Sequence, residues 1–447
     1  LNLSRMLAAR AASGAPVKVV LIGAGKFGTM YLSQARLTTG IQIVAVVDRD
    51  VPKAKAALAN AGWPAEQYAA RSPEDAATTG ATCVTDDVAR AIGAPGVEVV
   101  IEATGDPAVG IRHCLAAIAA GRHIVMVNVE ADVLAGPLLA RRAAQAGVVY
   151  SLAWGDQPAL ICEHVDWARA CGFKVVAAGK GTRYLPRYHQ LNPDTTWEEV
   201  SKYLAFSSKE GLNLKMFNSF LDGTKSGIEM TAVCNATGLT PQPDGLSFPP
   251  ASRFDLADIC KPASDGGVLS HSGTTEVVSS LTRKGEDVPH HLAMGTYVVI
   301  EGETDYARRC FTEYHTLEDR SGRFAALYRP THMIGLELGI SIASAALRGE
   351  PTGCPHGFHS DVVATAKKAL KAGEMLDGEG GFSVWGKQQP AGVSLKNGFL
   401  PIGLASGVRL TRDIAEGEIV RWADVEIDAE DDAVIIRREM ETLFSGR

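Results

Sequence analysis

The apolar residues of the first 150 positions fall into short, β-branched runs separated by stretches of helical spacing. Residues 17–22, 41–47, 97–101 and 124–127 are too short for helices and too uniformly apolar for half-exposed strands, so each predicts a strand buried on both faces of a parallel sheet. Residues 108–120, closed by Gly121, and residues 136–146 predict helices, and residues 148–151 a last strand. Strand and helix alternate, which is the order of a doubly wound α/β domain. From residue 156 to about 347 the pattern changes to longer strands, such as 296–300 and 324–328, mixed with helices. Glycine and proline gather around 349–357 and mark a further boundary. The expected division is therefore an α/β domain over residues 1–152, a second α/β (α+β) domain over 153–349 and a small β-rich domain over 350–447.

The first strand runs straight into Gly23-Ala24-Gly25-Lys26-Phe27-Gly28. In that position Gly23 permits the tight turn, Gly25 lets backbone approach a pyrophosphate, and Gly28 lets the helix pack on the strand, while the helix N-terminus offers free N–H groups to the phosphates. The second strand ends in Asp48, twenty residues beyond Gly28, where a ribose-binding carboxylate belongs. The first domain therefore reads as a Rossmann unit that binds a nicotinamide dinucleotide. Asp48 favours an unphosphorylated ribose, whereas Arg49 and Lys53 can pair with a 2′-phosphate, so NAD and NADP(H) both stay open. Thr104 and Gly105, at the carboxyl end of the strand 97–101, are expected near the nicotinamide half, and Asn128 ends the next strand.

Composition narrows the class. With 447 residues the chain exceeds one core, and 46% hydrophobic with 21% charged residues is ordinary for a folded enzyme. A net charge of −7 with interspersed signs leaves no basic face for nucleic acid. No apolar run is long enough to span a membrane and the first ten residues lack a secretory core, so a cytoplasmic protein is expected. The eight cysteines (Cys83, Cys114, Cys162, Cys171, Cys234, Cys260, Cys310, Cys354) are scattered without CxxC pairs and read as reduced thiols.

The middle of the chain should hold the substrate. Lys180, Arg183 and Arg187 follow or end the strand 174–178, where cations can clamp an anionic substrate. Lys225 and Glu229 lie one turn apart on the helix 224–237, and Asp222 lies just before it. A lysine beside a carboxylate can deliver the proton that carbonyl reduction needs. His332 reads as a structural histidine before the helix 334–347. Cys354, His356 and His359 have metal-ligand chemistry in short spacing but no fourth ligand nearby, and are read as linker.

Glu102-Ala103-Thr104-Gly105, then Ala119-Ala120-Gly121-Arg122-His123-Ile124-Val125 and Asn128, resemble homoserine dehydrogenases. Those enzymes carry a lysine after the asparagine, where this chain has Val129; they also place an active-site Asp and Lys four apart on a helix, here in the reversed order Lys225 and Glu229. Over its length the chain is similar to a homoserine-dehydrogenase-like branch with an added SAF domain, on Val20 through Met30, on Phe217-Asn218-Ser219-Phe220-Leu221-Asp222-Gly223-Thr224-Lys225 and on Tyr328-Arg329-Pro330-Thr331-His332. That resemblance implies an NADP-preferring homodimeric reductoisomerase, converting 1-deoxyxylulose 5-phosphate to methylerythritol 4-phosphate for isoprenoid synthesis by retro-aldol and aldol steps before hydride transfer. On that reading Lys225 with Glu229 or Asp222 is catalytic, Lys180, Arg183, Lys215, Asn218, Arg320 and Ser321 bind the phosphorylated sugar, and Mg²⁺ or Mn²⁺ can assist. The alternative is a dehydrogenase or oxidoisomerase of a sugar acid or hydroxy amino acid, and a third reading is a dinucleotide sensor without turnover.

Within the last domain, residues 370–376 recur as 414–420, which suggests a small pseudo-symmetric β unit. The second copy and its flanks resemble a SAF domain, which in other proteins binds a sugar-like ligand or covers an active site across a dimer; a packing role is expected here. The acidic stretch 428–432 is expected to face solvent.

Overall fold

The computed structural model describes residues 2–202, 208 and 212–445, and these form two compact units. The first comprises Leu1–Leu160 with Met333–His356; the second comprises Ile161–His332 with Gly357–Arg447.

In the first unit six strands, β1 (Val17–Ile22), β2 (Ile41–Val47), β3 (Cys83–Thr85), β4 (Val97–Glu102), β5 (His123–Met126) and β6 (Tyr150–Leu152), form one sheet in the order β3-β2-β1-β4-β5-β6. Every neighbouring pair is parallel. The chain order reverses between β1 and β4, so the glycine turn after β1 sits at the switch point where such sheets bind ligands. The helix Gly339–Arg348 belongs to this unit, because Leu338, Ile342 and Ala343 are buried in the same core as Val19, Leu21 and Val99. The sequence places a helix there, over 334–347, but in the second domain. Ser341 Oγ accepts from Trp154 N at 2.8 Å, and Leu152 N donates to the Gly353 carbonyl at 2.8 Å, which fastens the returning segment.

The helix expected over 136–146 runs from Val129 to Gln145. Asn128 starts it earlier by accepting from Ala131 N at 3.0 Å, and Pro137 is carried inside. The extra turns bury Asp132, whose Oδ1 accepts from the Tyr150 hydroxyl at 2.8 Å while Oδ2 makes no hydrogen bond with a described residue.

The second unit is built on a mixed sheet of β7 (Lys174–Thr182), β8 (Thr274–Ser279), β9 (Thr296–Glu301), β10 (Leu317–Glu318) and β11 (Phe324–Arg329), in the order β10-β11-β9-β7-β8. Only β7 and β8 run parallel. One face packs on the helices Gln157–Ala170 and Thr224–Thr237 through Ile161, Val165, Met230 and Val233. The other packs on the segment around Ala251 to Leu269. A bulge between Val175 and Ala177 turns both Val176 and Ala177 to that second face and resets the alternation, so that Ala178 and Lys180 face the helices.

The C-terminal part pairs β12 (Ser360–Ala366) with β14 (Val384–Pro390), and β13 (Met375–Asp377), β15 (Ser406–Leu410) and β16 (Val425–Glu426) in a second antiparallel sheet. The two sequence repeats meet: Leu370 N donates to Ile414 O at 2.9 Å and Ile414 N to Leu370 O at 3.0 Å. Asp431, from the acidic stretch, caps the terminal helix Asp432–Phe444, accepting from Ala433 N at 2.8 Å. On that helix Arg437 is fully buried against Asp361, 2.6 Å away. Among the described residues no helix is long and apolar enough to cross a membrane.

Burial raises the Asp132 carboxyl from an ordinary 3.8 to about 7, against the smaller opposing pull of the Tyr150 hydrogen bond. A folded value above the unfolded one favours the fold fully below about pH 4, and that contribution is lost as the pH rises to about 7. Asp132→Asn, which does not titrate, should therefore flatten the decline in stability between about pH 4 and pH 7, by about 4 kcal/mol at most. Urea unfolding at several pH values checks this, and parallel declines in parent and variant would refute it.

Candidate active site

The glycine turn of the first unit has the steric character of a phosphate cradle. Gly23 has φ +101°, and a Cβ there would stand 2.5 Å from the Ala103 carbonyl oxygen. A Cβ on Gly28 would collide with the Gly23 carbonyl. Gly25, by contrast, faces open space, and no side chain caps the helix Lys26–Ala35 that follows. Free N–H groups and an unfilled Cβ position are what a pyrophosphate requires. Asp48 braces the turn by accepting from Ala24 N at 2.9 Å, with its other oxygen accepting from Asp50 N at 3.0 Å; Lys26 and Arg49 are exposed beside it and Phe27 is half-buried. Thr104 donates to Glu102 at 2.6 Å and Gly105 takes φ +75°. Asn128 is buried as the helix cap and donates to the Asp106 carbonyl at 2.8 Å, so its side chain is engaged inside the protein.

In the second unit the bulge-reset strand β7 aims Lys180 at the helix Thr224–Thr237, where its ammonium is paired with Glu229. Both are buried, at 5% and 3% side-chain exposure. Lys225, with which Glu229 was paired by spacing alone, is half-buried one turn earlier. Lys180 is in register with Thr296 on β9, and Thr296 with Arg329 on β11. Partners in register share a face, so the three side chains form one row across three strands. His164, from the helix Gln157–Ala170, lies 3.1 Å from the Thr296 hydroxyl. Burial first, and the Arg329 charge second, push this imidazole down to about 4, so it is neutral at physiological pH. Sequence reasoning singled out Lys180 and Glu229 but not Thr296 and Arg329, which only strand register sets beside Lys180, nor His164, which only helix packing brings to Thr296.

Asp222 is fully buried at the head of the Thr224–Thr237 helix, accepting from Thr224 N at 2.9 Å and pairing with Lys367 at 2.8 Å. Burial raises its carboxyl above the usual range, and Lys367 and Thr224 pull it back in part. Lys367 also donates to the carbonyls of Leu191 at 2.6 Å and Gly381 at 2.8 Å. His189 donates through Nδ1 to the Asp222 carbonyl at 2.7 Å and accepts at Nε2 from the Tyr184 hydroxyl at 2.8 Å. It is held neutral by burial, at about 4.

The remaining candidates are engaged in separate places. Arg183 pairs with Asp287 at 2.9 Å, and Arg187 with Glu199 at 2.9 Å. Lys215 donates to the Asp377 carbonyl. Asn218 is buried, donating to the carbonyls of Leu191 at 3.0 Å and Gly380 at 2.9 Å while accepting from Thr196 at 2.8 Å. Ser321 donates to Asp319 at 2.7 Å, and Arg320 N to Asp258 at 3.2 Å. Among the described residues no group of three or more His, Cys, Asp or Glu side chains is placed to hold a metal ion.

Three family models match. The NAD-binding Rossmann fold of the GFO/IDH/MocA oxidoreductase family covers residues 17–127, the catalytic domain of oxidoreductase DRL residues 155–338, and the SAF domain residues 361–426. The chain thus carries an NAD(P)-binding Rossmann domain, an oxidoreductase catalytic domain and a SAF domain. No curated protein matches it. Among solved structures it is similar to myo-inositol dehydrogenase from Lactobacillus casei in complex with NAD(H) and myo-inositol, with 18% identity over 41% of this chain and 50% of that one and a TM-score of 0.29. It is also similar to 1-deoxy-D-xylulose 5-phosphate reductoisomerase from Zymomonas mobilis in complex with NADPH (17%, 49% and 57%, 0.33) and to dipicolinate-bound dihydrodipicolinate reductase from Paenisporosarcina sp. TG-14 (12%, 74% and 95%, 0.35). The chain thus spans half the length of the first and little more than half of the second. None of these likenesses bears on the substrate of this oxidoreductase.

Two outcomes follow from the geometry. Gly25→Val should leave the melting temperature of the oxidoreductase nearly unchanged but weaken NADH and NADPH binding by about tenfold or more in fluorescence titration, because it fills space that only a ligand needs; unchanged affinity would refute the cradle. Lys180→Met should cost about 3–5 kcal/mol in urea unfolding by stranding Glu229, and Lys180→Met with Glu229→Gln should recover much of it.

Proposed function

We propose that the protein is an NAD(P)-dependent dehydrogenase or oxidoisomerase of a sugar acid or related hydroxy acid. The observation that carries the reading is the row of Arg329, Thr296 and Lys180, with Glu229 against Lys180 and His164 against Thr296. It sets a guanidinium and, two strands away, an ammonium on one face of the sheet, the cations that would meet a carboxylate and another oxygen of the same small molecule. The 1-deoxyxylulose 5-phosphate reading needs several cations converging on a phosphate. Of its candidates, Arg183 pairs with Asp287, Lys215 with the Asp377 carbonyl and Ser321 with Asp319, in separate contacts, and the Arg320 amide is held by Asp258.

In the reducing direction Lys180 gives a proton to the oxygen that becomes an alkoxide; in the oxidising direction it receives that proton back. Glu229 holds the ammonium in place and the neutral His164 orients the Thr296 hydroxyl. A bound nicotinamide dinucleotide supplies or takes the hydride. Gly23, Gly25 and Gly28 would hold its pyrophosphate and Asp48 its ribose, with Arg49 the residue that would pair with the 2′-phosphate of NADP.

The deciding experiment follows absorbance of the reduced nicotinamide with purified protein, presenting NAD and NADP with a set of aldonic and hydroxy acids, beside 1-deoxyxylulose 5-phosphate, homoserine and aspartate semialdehyde, with and without Mg²⁺ or Mn²⁺. Turnover of an unphosphorylated acid is expected. Turnover confined to the phosphorylated sugar would replace this reading with the reductoisomerase, and dinucleotide binding with no turnover on any acid would sink it. With the substrate in hand, Arg329→Gln should raise KM about tenfold or more with a smaller change in kcat. Lys180→Met should lower kcat by about 10²–10⁴.

A further inference from the structure

A cleft of about 350 Å³ lies within the second unit, where the segments around His189 and Asp244 meet the SAF domain. Its lining includes His189, Asp244, Lys367, Trp385, Lys387 and Glu416, none of which belongs to the row around Lys180. We propose that this cleft binds a small zwitterion of the α-amino-acid class, and that its occupancy is felt by the helix Thr224–Thr237.

The charges on its walls define the ligand. Lys387 is half-buried, and its ammonium makes no hydrogen bond or ion pair with a described residue. The carboxylates of Asp244 and Glu416 line the same cleft and likewise have no such partner. Lys367 is different in kind, since its ammonium is already ion-paired with Asp222 and donates to the carbonyls of Leu191 and Gly381. A dianion entering here would meet two carboxylates, and a diamine would meet Lys387 with nothing to relieve it. A molecule carrying one carboxylate and one ammonium satisfies both signs, with Lys387 opposite the first and Asp244 and Glu416 opposite the second. Trp385 gives the cleft a rigid aromatic wall, because its indole is stacked on the His189 ring at 3.8 Å between centroids.

Two of the lining side chains end on one residue. His189 holds the Asp222 carbonyl and Lys367 holds the Asp222 carboxylate, while the other carboxylate oxygen caps the first turn of the Thr224–Thr237 helix. A ligand pressed against Trp385 and His189 therefore acts on the start of the helix that carries Glu229. This is a second site, distinct from the row around Lys180, and binding to it can be measured without reference to the proposed activity.

The test uses the full chain. Each of the twenty common amino acids is presented singly by calorimetry and thermal unfolding, with lactate, gluconate, inorganic phosphate and cadaverine as comparisons. The expected result is one-to-one binding of at least one amino acid, weakened about tenfold or more by Lys387→Gln and by Glu416→Gln, with basal turnover and melting temperature of both variants unchanged. Absence of binding by every amino acid overturns the site. Equal binding of gluconate or phosphate overturns the ligand class, and binding indifferent to both substitutions overturns the location. Amide exchange over residues 224–229 should slow when the amino acid binds; unchanged exchange overturns the coupling to the helix.

Discussion

The second unit is organised by the need to answer two carboxylates taken out of water, Asp222 at the head of the Thr224–Thr237 helix and Glu229 on its second turn. A buried ion left unpaired costs several kcal/mol, so each must meet a cation brought from elsewhere in the chain. Glu229 meets Lys180 from the mixed sheet, and Asp222 meets Lys367 from the SAF domain. The helix is buried along nearly its whole length, and several of its other polar groups find partners in the same neighbours, although Ser226 Oγ and Asn235 Nδ2 have none among the described residues. Thr224 accepts from Gly386 N at 2.8 Å, Asn235 accepts from the amides of His359 and Ser360 at 2.8 and 3.0 Å, and Gly227 lies where a Cβ would press on the Gly386 carbonyl at 2.9 Å. The SAF domain is thus part of the scaffold that fixes Glu229, and a lid that swings free would strand Asp222.

The same logic explains how a strand register becomes a chemical site. One bulge in β7 sets which face Lys180 occupies, and antiparallel pairing then sets Thr296 and Arg329 beside it. A cation, a hydroxyl and a second cation stand in line because three strands agree, and their spacing is fixed by backbone hydrogen bonds more firmly than side-chain packing alone could fix it. Beside them, a histidine kept neutral by burial adds hydrogen-bonding capacity without a further charge.

Much of this was legible in the sequence, for reasons that differ between the units. The parallel sheet announces itself because strands buried on both faces must be continuously apolar, and the glycine turn because Gly23 and Gly28 have no room for a Cβ. The helix Val129–Gln145 begins seven residues before the expected 136–146, because the Asn128 cap and the burial of Asp132 against Tyr150 are tertiary contacts that local spacing does not show. The candidate site was half legible. Lys180, Asp222 and Glu229 stand out as charges in apolar surroundings, but their partners do not, since Lys367 lies 145 positions beyond Asp222 and nothing local marks it. Lys225 and Glu229 have the spacing of a helical pair, and the sheet supplied Glu229 with a buried partner instead.

The path of the chain between the two units has a consequence for biosynthesis. The polypeptide leaves the first unit after Leu160, returns with Met333–His356 and leaves again. The returning segment supplies Leu338, Ile342 and Ala343 to the core beneath the parallel sheet. On the ribosome, then, the glycine turn and all six of its strands emerge long before the sheet can be sealed, and they must wait with an apolar flank uncovered while the whole mixed sheet is synthesised. Neither unit is complete before part of the other has been made, since the second still awaits Gly357–Arg447 when the first receives its last segment.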